Sequence, residues 1–167
     1  MLFLIGLRGS GKTTIGRVLA GRLALPFRDA DVELEARAGR SIRDIFAADG
    51  EAAFRDFEEQ TLVELIGRGP AVVATGGGVV LREINRARMK AAGKVVWLTA
   101  DADALWARTQ ADPTTAGQRP DLASGGLAEV QELMRLREPH YRSVADLTIE
   151  TAGRSPEQIA ADILALC

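Results

Sequence analysis

One stretch near the N-terminus, Gly6-Leu7-Arg8-Gly9-Ser10-Gly11-Lys12-Thr13, restricts what this chain can fold into more than any other. It matches G-x-x-x-x-G-K-[ST] at every position, the pattern of a loop that wraps phosphate. Glycines let the backbone curl so that successive N–H groups converge on phosphate oxygens. Lys12 brings a compact positive charge for the β- and γ-phosphates, and the Thr13 hydroxyl is a hard oxygen suited to Mg²⁺. The helix that follows turns the positive end of its dipole toward the same anion. Such a loop works only between a strand and a helix, and the flanks supply both. Met1 to Ile5 is an apolar run of the kind a buried parallel strand requires. Ile15, Val18, Leu19 and Leu23 then recur at helical spacing.

Bulk properties narrow the class. A chain of 167 residues with 47% hydrophobic and 26% charged residues reads as one globular domain with a real core. The formal net charge of −2 offers no global electrostatic attraction to nucleic acid or an anionic membrane, so neither is expected as a partner. Cys167 is the only cysteine, which rules out a disulfide or a cysteine metal site within one chain and fits a reducing, cytoplasmic setting. No apolar run is long enough to span a bilayer. The chain opens directly in its first strand, so no signal peptide is expected.

Strand-like and helical runs alternate to the end of the chain. Phe27 is expected to start a short second strand leading into Asp29-Ala30-Asp31. Two readings of these acids stay open. On a strand end they share a face, one attending the metal and one the substrate; at a helix N-terminus they are simply favoured by the dipole. Residues 41 to 68 read as helical, opened by Ser41 and Asp44 as a capping box and broken at Gly50. Phe54, Phe57, Thr61, Leu62, Leu65 and Ile66 mark its inner side, and Arg55 and Glu58 can meet on its surface. Taken alone, that pair reads as a solvent-exposed ion pair.

Ala71 to Thr75 is a third strand that runs straight into Gly76-Gly77-Gly78. Many phosphate-loop proteins end the corresponding strand in an acid that helps hold Mg²⁺, and here three glycines stand in its place. A backbone this bare permits close approach by a ligand and can donate N–H groups to it. Helix 82–92, strand Lys94 to Thr99, a helix after Asp101 and a polar loop of about residues 110–126 follow. A loop this long in a compact domain reads as a lid or as a disordered segment. It carries Arg119, which could stabilise charge on a moving phosphoryl group. Leu127 to Tyr141 is helical with Val130, Leu133, Met134 and Leu136 apolar; Leu147 to Glu150 is a fifth strand; and Ser155-Pro156-Glu157-Gln158 starts the last helix. His140, the sole histidine, has no partner histidine with which to build a general-base motif.

Together these motifs resemble the shikimate kinase family over nearly the whole chain. The resemblance rests on the phosphate loop, Asp29-Ala30-Asp31, Ile45-Phe46 with Gly50-Glu51 and Phe54-Arg55, Gly76-Gly77-Gly78, Arg119-Pro120, and Arg137 with Pro139 and Tyr141, in that order. It implies a single domain spanning 1–167, a three-layer α/β/α fold with a five-stranded parallel sheet like that of nucleoside monophosphate kinases, and a mobile lid. The implied reaction moves the ATP γ-phosphoryl group to the 3-hydroxyl of shikimate, in the pathway to chorismate and aromatic amino acids. Carried onto this sequence, Gly9, Ser10, Gly11, Lys12, Thr13 and Thr14 are expected to cradle ATP phosphates, and Thr13 and Asp29 to hold Mg²⁺. Asp31 is expected to bind the shikimate hydroxyls and to accept the proton of the attacking one. Arg55 and Arg137 clamp the carboxylate, and Gly77, within Gly76 to Gly78, donates a backbone N–H. Arg119 comes down onto the phosphates, and Arg108 and Arg154 flank the adenine. Lys12, Asp31 and Arg119 are thus the expected catalytic residues. Side-chain chemistry agrees, since an arginine fork suits a planar carboxylate and phosphoryl transfer asks mainly for alignment and charge neutralisation.

Departures from the family pattern lie in and beside the lid: Asp121 where leucine is common, an enlarged run 111–117, and His140 in a place often held by leucine. A monomer is expected because no helix is apolar on two faces. The nearest rival is a kinase of the same fold acting on gluconate or a nucleoside monophosphate; the rival from another class is a non-catalytic ATP-binding regulatory protein.

Overall fold

The computed structural model describes residues 1–111 and 126–166. Five strands, β1 (Leu2–Ile5), β2 (Phe27–Asp29), β3 (Val72–Ala74), β4 (Lys94–Thr99) and β5 (Leu147–Glu150), form one sheet in the order β2-β3-β1-β4-β5. Every pairing is parallel, with Phe3 opposite Val73 on one side and Val95 on the other. Parallel neighbours need long crossovers, and the helices supply them. These are α1 (Lys12–Leu23), α2 (Ala30–Ala38), α3 (Ile42–Gly67), α4 (Glu83–Ala92), α5 (Ala102–Ala111), α6 (Gly126–Val144) and α7 (Pro156–Leu166).

The pleat sorts the apolar strand residues into two layers. Leu2 and Leu4 face α1 and α7 through Ile15, Leu19, Ile159 and Ile163. Phe3 and Ile5 face the opposite layer, where Leu62, Leu65, Met89, Leu105, Tyr141 and Val144 close over them. Covered on both faces, β1 has no use for a polar residue, which is why it reads as an unbroken apolar run. A third cluster of Leu34, Ile42, Ile45 and Phe54 joins α2 to α3.

Local signals explain most boundaries. Ser41 Oγ accepts from Asp44 N at 3.1 Å and starts α3. Gly50, at φ 78° and ψ 180°, interrupts that helix with a conformation that glycine alone adopts readily. The C-terminal end of α3 is closed from a distance: Arg28 on β2 donates to the carbonyls of Leu65, Arg68 and Gly69. Ser155 and Gln158 exchange bonds of 3.0 and 3.2 Å as a reciprocal cap on α7.

Three details go beyond the sequence pattern. Asp29 ends β2 and caps α2, while Asp31 lies inside the first helical turn, so the two acids do not share a strand face. A short 3-10 turn, Val79–Leu81, stands between the glycine triplet and α4. In α6 the apolar Leu136 is 49% exposed, whereas Arg137 and Tyr141 are buried. The inner side of that helix carries Val130, Leu133, Met134, Arg137, Tyr141 and Val144, a helical stripe that passes through a charge.

Candidate active site

The C-terminal end of β1 is where the chain order reverses, with β3 and β2 on one side and β4 and β5 on the other, and ligands of such sheets bind at that reversal. The phosphate loop leaves β1 there. Gly6 and Gly9 have φ of 142° and 80°, and a methyl group on either would meet the Leu98 or Leu105 carbonyl oxygen at 2.3 or 2.6 Å. Glycine is therefore demanded both by backbone conformation and by the closeness of β4 and α5. Lys12 Nζ donates to Gly6 O at 2.9 Å, Leu7 O at 2.8 Å and Ser10 Oγ at 3.4 Å, which fixes the ammonium across the loop. Gly11 caps α1 without a side-chain acceptor, so the first-turn N–H groups of α1 face the loop as anion donors.

Thr13 lies in the first turn of α1, and its hydroxyl donates to Asp29 Oδ2 at 2.9 Å. The other carboxylate oxygen, Oδ1, accepts from Asp31 N at 3.1 Å. Asp29 thus joins the phosphate helix to the start of α2 and holds Asp31 in place beside it. A hydroxyl and a carboxylate oxygen set together at the mouth of a phosphate loop fit Mg²⁺, which takes few protein oxygens and completes its shell with water and phosphate. No group of three or more His, Cys, Asp or Glu that could hold a metal occurs among the described residues.

Across the cleft, Arg55 is 6% exposed. Its Nη1 donates to Glu58 Oε2 at 2.7 Å, and its Nε and Nη2 reach Glu51 Oε1 at 3.2 and 3.0 Å. The expected exposed ion pair is a buried one, because the face of α3 carrying Arg55 and Glu58 packs onto the glycine triplet. A methyl group on Gly78 would lie 2.1 Å from Arg55 Nη1. One on Gly77 would lie 3.3 Å from Arg137 Nη1 and 3.6 Å from the Tyr141 hydroxyl. Two guanidinium groups thus converge on consecutive glycines from opposite helices, α3 and α6. Tyr141 Oη donates to Gly77 O at 2.6 Å, and its ring stacks on Trp97 with centroids 5.6 Å apart.

Just beyond the triplet, Arg82 binds Asp56 at 2.6 Å and Glu59 at 2.8 Å, and Glu59 also accepts from Arg88 at 2.7 Å. These bonds tie the start of α4 to α3. The Arg88 and then the Arg82 guanidinium hold the Glu59 carboxyl below the usual carboxylate range.

Arg108 donates to Gly9 O at 3.3 Å and to Thr151 Oγ1 and O at 2.9 and 2.8 Å, which brings the end of α5 onto the phosphate loop. Arg154 pairs with Asp162 and donates to Glu150 O at 3.4 Å, so its bonds run to α7 and β5 rather than to the loop. Arg119, with Pro120 and Asp121, lies outside the described residues. Sequence reasoning passed over Glu51, Tyr141 as a contact of Gly77, and Thr151. Glu51 and Glu58 carried a usable signal, since they bracket Arg55 at the two helical contact spacings. Thr151 carried none, because its role depends on β5 ending beside α5.

A sequence model of the shikimate kinase family matches residues 8–167. A shikimate kinase of Rhodopirellula baltica is 46% identical over 164 residues, covering 98% of this chain and 88% of that protein. The structure of shikimate kinase from Acinetobacter baumannii in complex with shikimate superposes with a TM-score of 0.92 at 38% identity, over 99% of this chain and 90% of that one. A gluconokinase from Sinorhizobium meliloti, at 16% identity and a TM-score of 0.63 over 99% of this chain and 89% of that one, shares the fold alone.

Proposed function

This chain belongs to the shikimate kinase family, and from that premise we propose that the cleft between the phosphate loop and the paired arginines is where it moves a phosphoryl group from ATP to the 3-hydroxyl of shikimate. The enzyme is a kinase of the shikimate pathway. The observation that carries the assignment of residues is the convergence of Arg55 and Arg137 on Gly78 and Gly77, facing a loop built for triphosphate. Two forked cations beside bare backbone suit one planar carboxylate among hydroxyls.

In this reading Gly9, Ser10, Gly11, Lys12, Thr13 and Thr14 hold the ATP phosphates, and Thr13 and Asp29 hold Mg²⁺. The ion would neutralise charge on the β- and γ-phosphates. Lys12, fixed by two backbone carbonyls, adds its charge to the same oxygens without having to be ordered at the moment of reaction. Asp31 accepts from the shikimate hydroxyls and orients the attacking one; positioning is its first task and proton removal its second. Arg55 and Arg137 fix the far end of the acceptor, with a Gly77 N–H between them. Arg108 and Arg154 are assigned to the adenine and Arg119 to the phosphates, on the family resemblance. The chain acts as a monomeric cytoplasmic domain without nucleic-acid partners. No helix of the described residues is long and apolar enough to cross a membrane.

A coupled ADP-release assay with ATP and Mg²⁺ tests the reading, comparing shikimate, quinate, gluconate, AMP and water as acceptors. Turnover that requires shikimate is the expected result. Turnover on gluconate or AMP in its place would overturn the acceptor assignment.

A further inference from the structure

We propose that Tyr141 is a positioning residue for the acceptor site, its hydroxyl setting the plane of the Gly77–Gly78 peptide and the spacing between that peptide and Arg137. The inference rests on the reading of Arg137 and the glycine triplet as the shikimate site.

The geometry is specific. Tyr141 is 1% exposed, and its phenol donates to Gly77 O at 2.6 Å, a short bond between a buried donor and a carbonyl that has no side chain to steady it. A trans peptide is planar, so a carbonyl pinned toward Tyr141 turns the Gly78 N–H of the same amide the opposite way. Two glycines in succession otherwise leave that plane free to rotate. The pinned carbonyl also fixes the ψ angle of Gly77, the residue whose own N–H is assigned to the acceptor. Tyr141 also stands four residues after Arg137, on one face of α6, so the phenol and the guanidinium move as one unit over Gly77. The ring is anchored in its turn by Trp97, and the Arg142 guanidinium lies 5.4 Å from the Trp97 ring centre. The tyrosine thus carries the register of α6 and β4 onto the one stretch of the site that has no side chains.

Tyr141→Phe keeps the ring, its volume and the stack, and removes only the hydroxyl. Losing one buried hydrogen bond of this kind should raise KM for shikimate by roughly three- to tenfold. KM for ATP should stay close to the parent value, and the melting temperature should fall by only about 2–4 °C, the cost of one hydrogen bond. Arg137→Ala is measured beside it. A rise in shikimate KM for both variants, with ATP unaffected, is the expected result. An unchanged shikimate KM in Tyr141→Phe while Arg137→Ala raises it would overturn the positioning role and leave the site assignment standing. An ATP KM that rises as much as the shikimate KM in Tyr141→Phe would make the residue merely structural and also overturn the proposal. An unchanged shikimate KM in Arg137→Ala would remove the site reading and the proposal with it.

Discussion

Glu58→Gln is the most informative single change. Glu58 Oε2 and Arg55 Nη1 are 2.7 Å apart, and the two side chains are 5% and 7% exposed. The substitution keeps the shape and a hydrogen-bond acceptor but deletes the charge. Removing one member of a buried pair outright costs ~3–5 kcal/mol, because the other charge stays desolvated and unpaired. Here Glu51 remains on Arg55 at 3.0 Å and is half exposed, so the arginine keeps one counter-charge. The loss should therefore be nearer that of a single charge-assisted hydrogen bond, ~2 kcal/mol. For a domain of this size that lowers Tm by about 4–8 °C. Thermal unfolding monitored by circular dichroism reads the shift, and steady-state kinetics should show shikimate KM rising more than ATP KM as Arg55 loses one of its two anchors. Glu132→Gln serves as the comparison, since its pair with Arg135 is 50% and 70% exposed and should leave Tm where it was. If Glu58→Gln melts with the parent protein, the burial of the pair has no energetic consequence and the argument from desolvation fails.

Gly78→Ala should displace the Arg55 guanidinium, because the new methyl would stand 2.1 Å from Nη1; shikimate KM is expected to rise by ~tenfold or more, and a normal KM would mean that Arg55 has room the structure does not show. Lys12→Met should abolish detectable transfer in the ADP-release assay through loss of charge on the phosphates, and near-parent rates would contradict the phosphate-loop role. For Glu59 the sign follows from its lowered pKa. Its bonds to Arg88 and Arg82 contribute stability that is present above the unfolded value of about 4.3 and lost as pH falls through the folded value. Glu59→Gln should therefore lower Tm at pH 7 and have a smaller effect in acid; equal loss at pH 7 and pH 3 would refute the linkage.

Much of the protein was legible in its sequence because local rules and short-range spacing decide those parts. The phosphate loop, the apolar strands, the break at Gly50 and the caps at Ser41 and Ser155 each carry their signal within a few residues. The five-stranded parallel sheet was what the family resemblance implied, and the structure has it. Asp29 and Asp31 were found as candidates but not resolved between strand end and helix start, because acids are favoured in both settings; the structure makes Asp29 the cap of α2 and a partner of Thr13 at once.

What only the tertiary structure decided is which charges are buried and what they touch. Composition and helical spacing place Arg55, Glu58 and Arg137 on helix surfaces, where charged residues usually belong. The fold lays α3 and α6 against Gly77 and Gly78, and the missing side chains of those two glycines create the room that buries both arginines. The Tyr141 bond to Gly77 spans 64 residues of chain, and those of Arg108 to Gly9 and Thr151 span 99 and 43, and no local pattern encodes such pairs. Sequence alone determined the chemistry available, since a phosphate loop, carboxylates and arginines are named by their residue types. The meeting of those groups at one end of the sheet follows from packing, because side chains distant in the chain become neighbours only when the layers close over a common core.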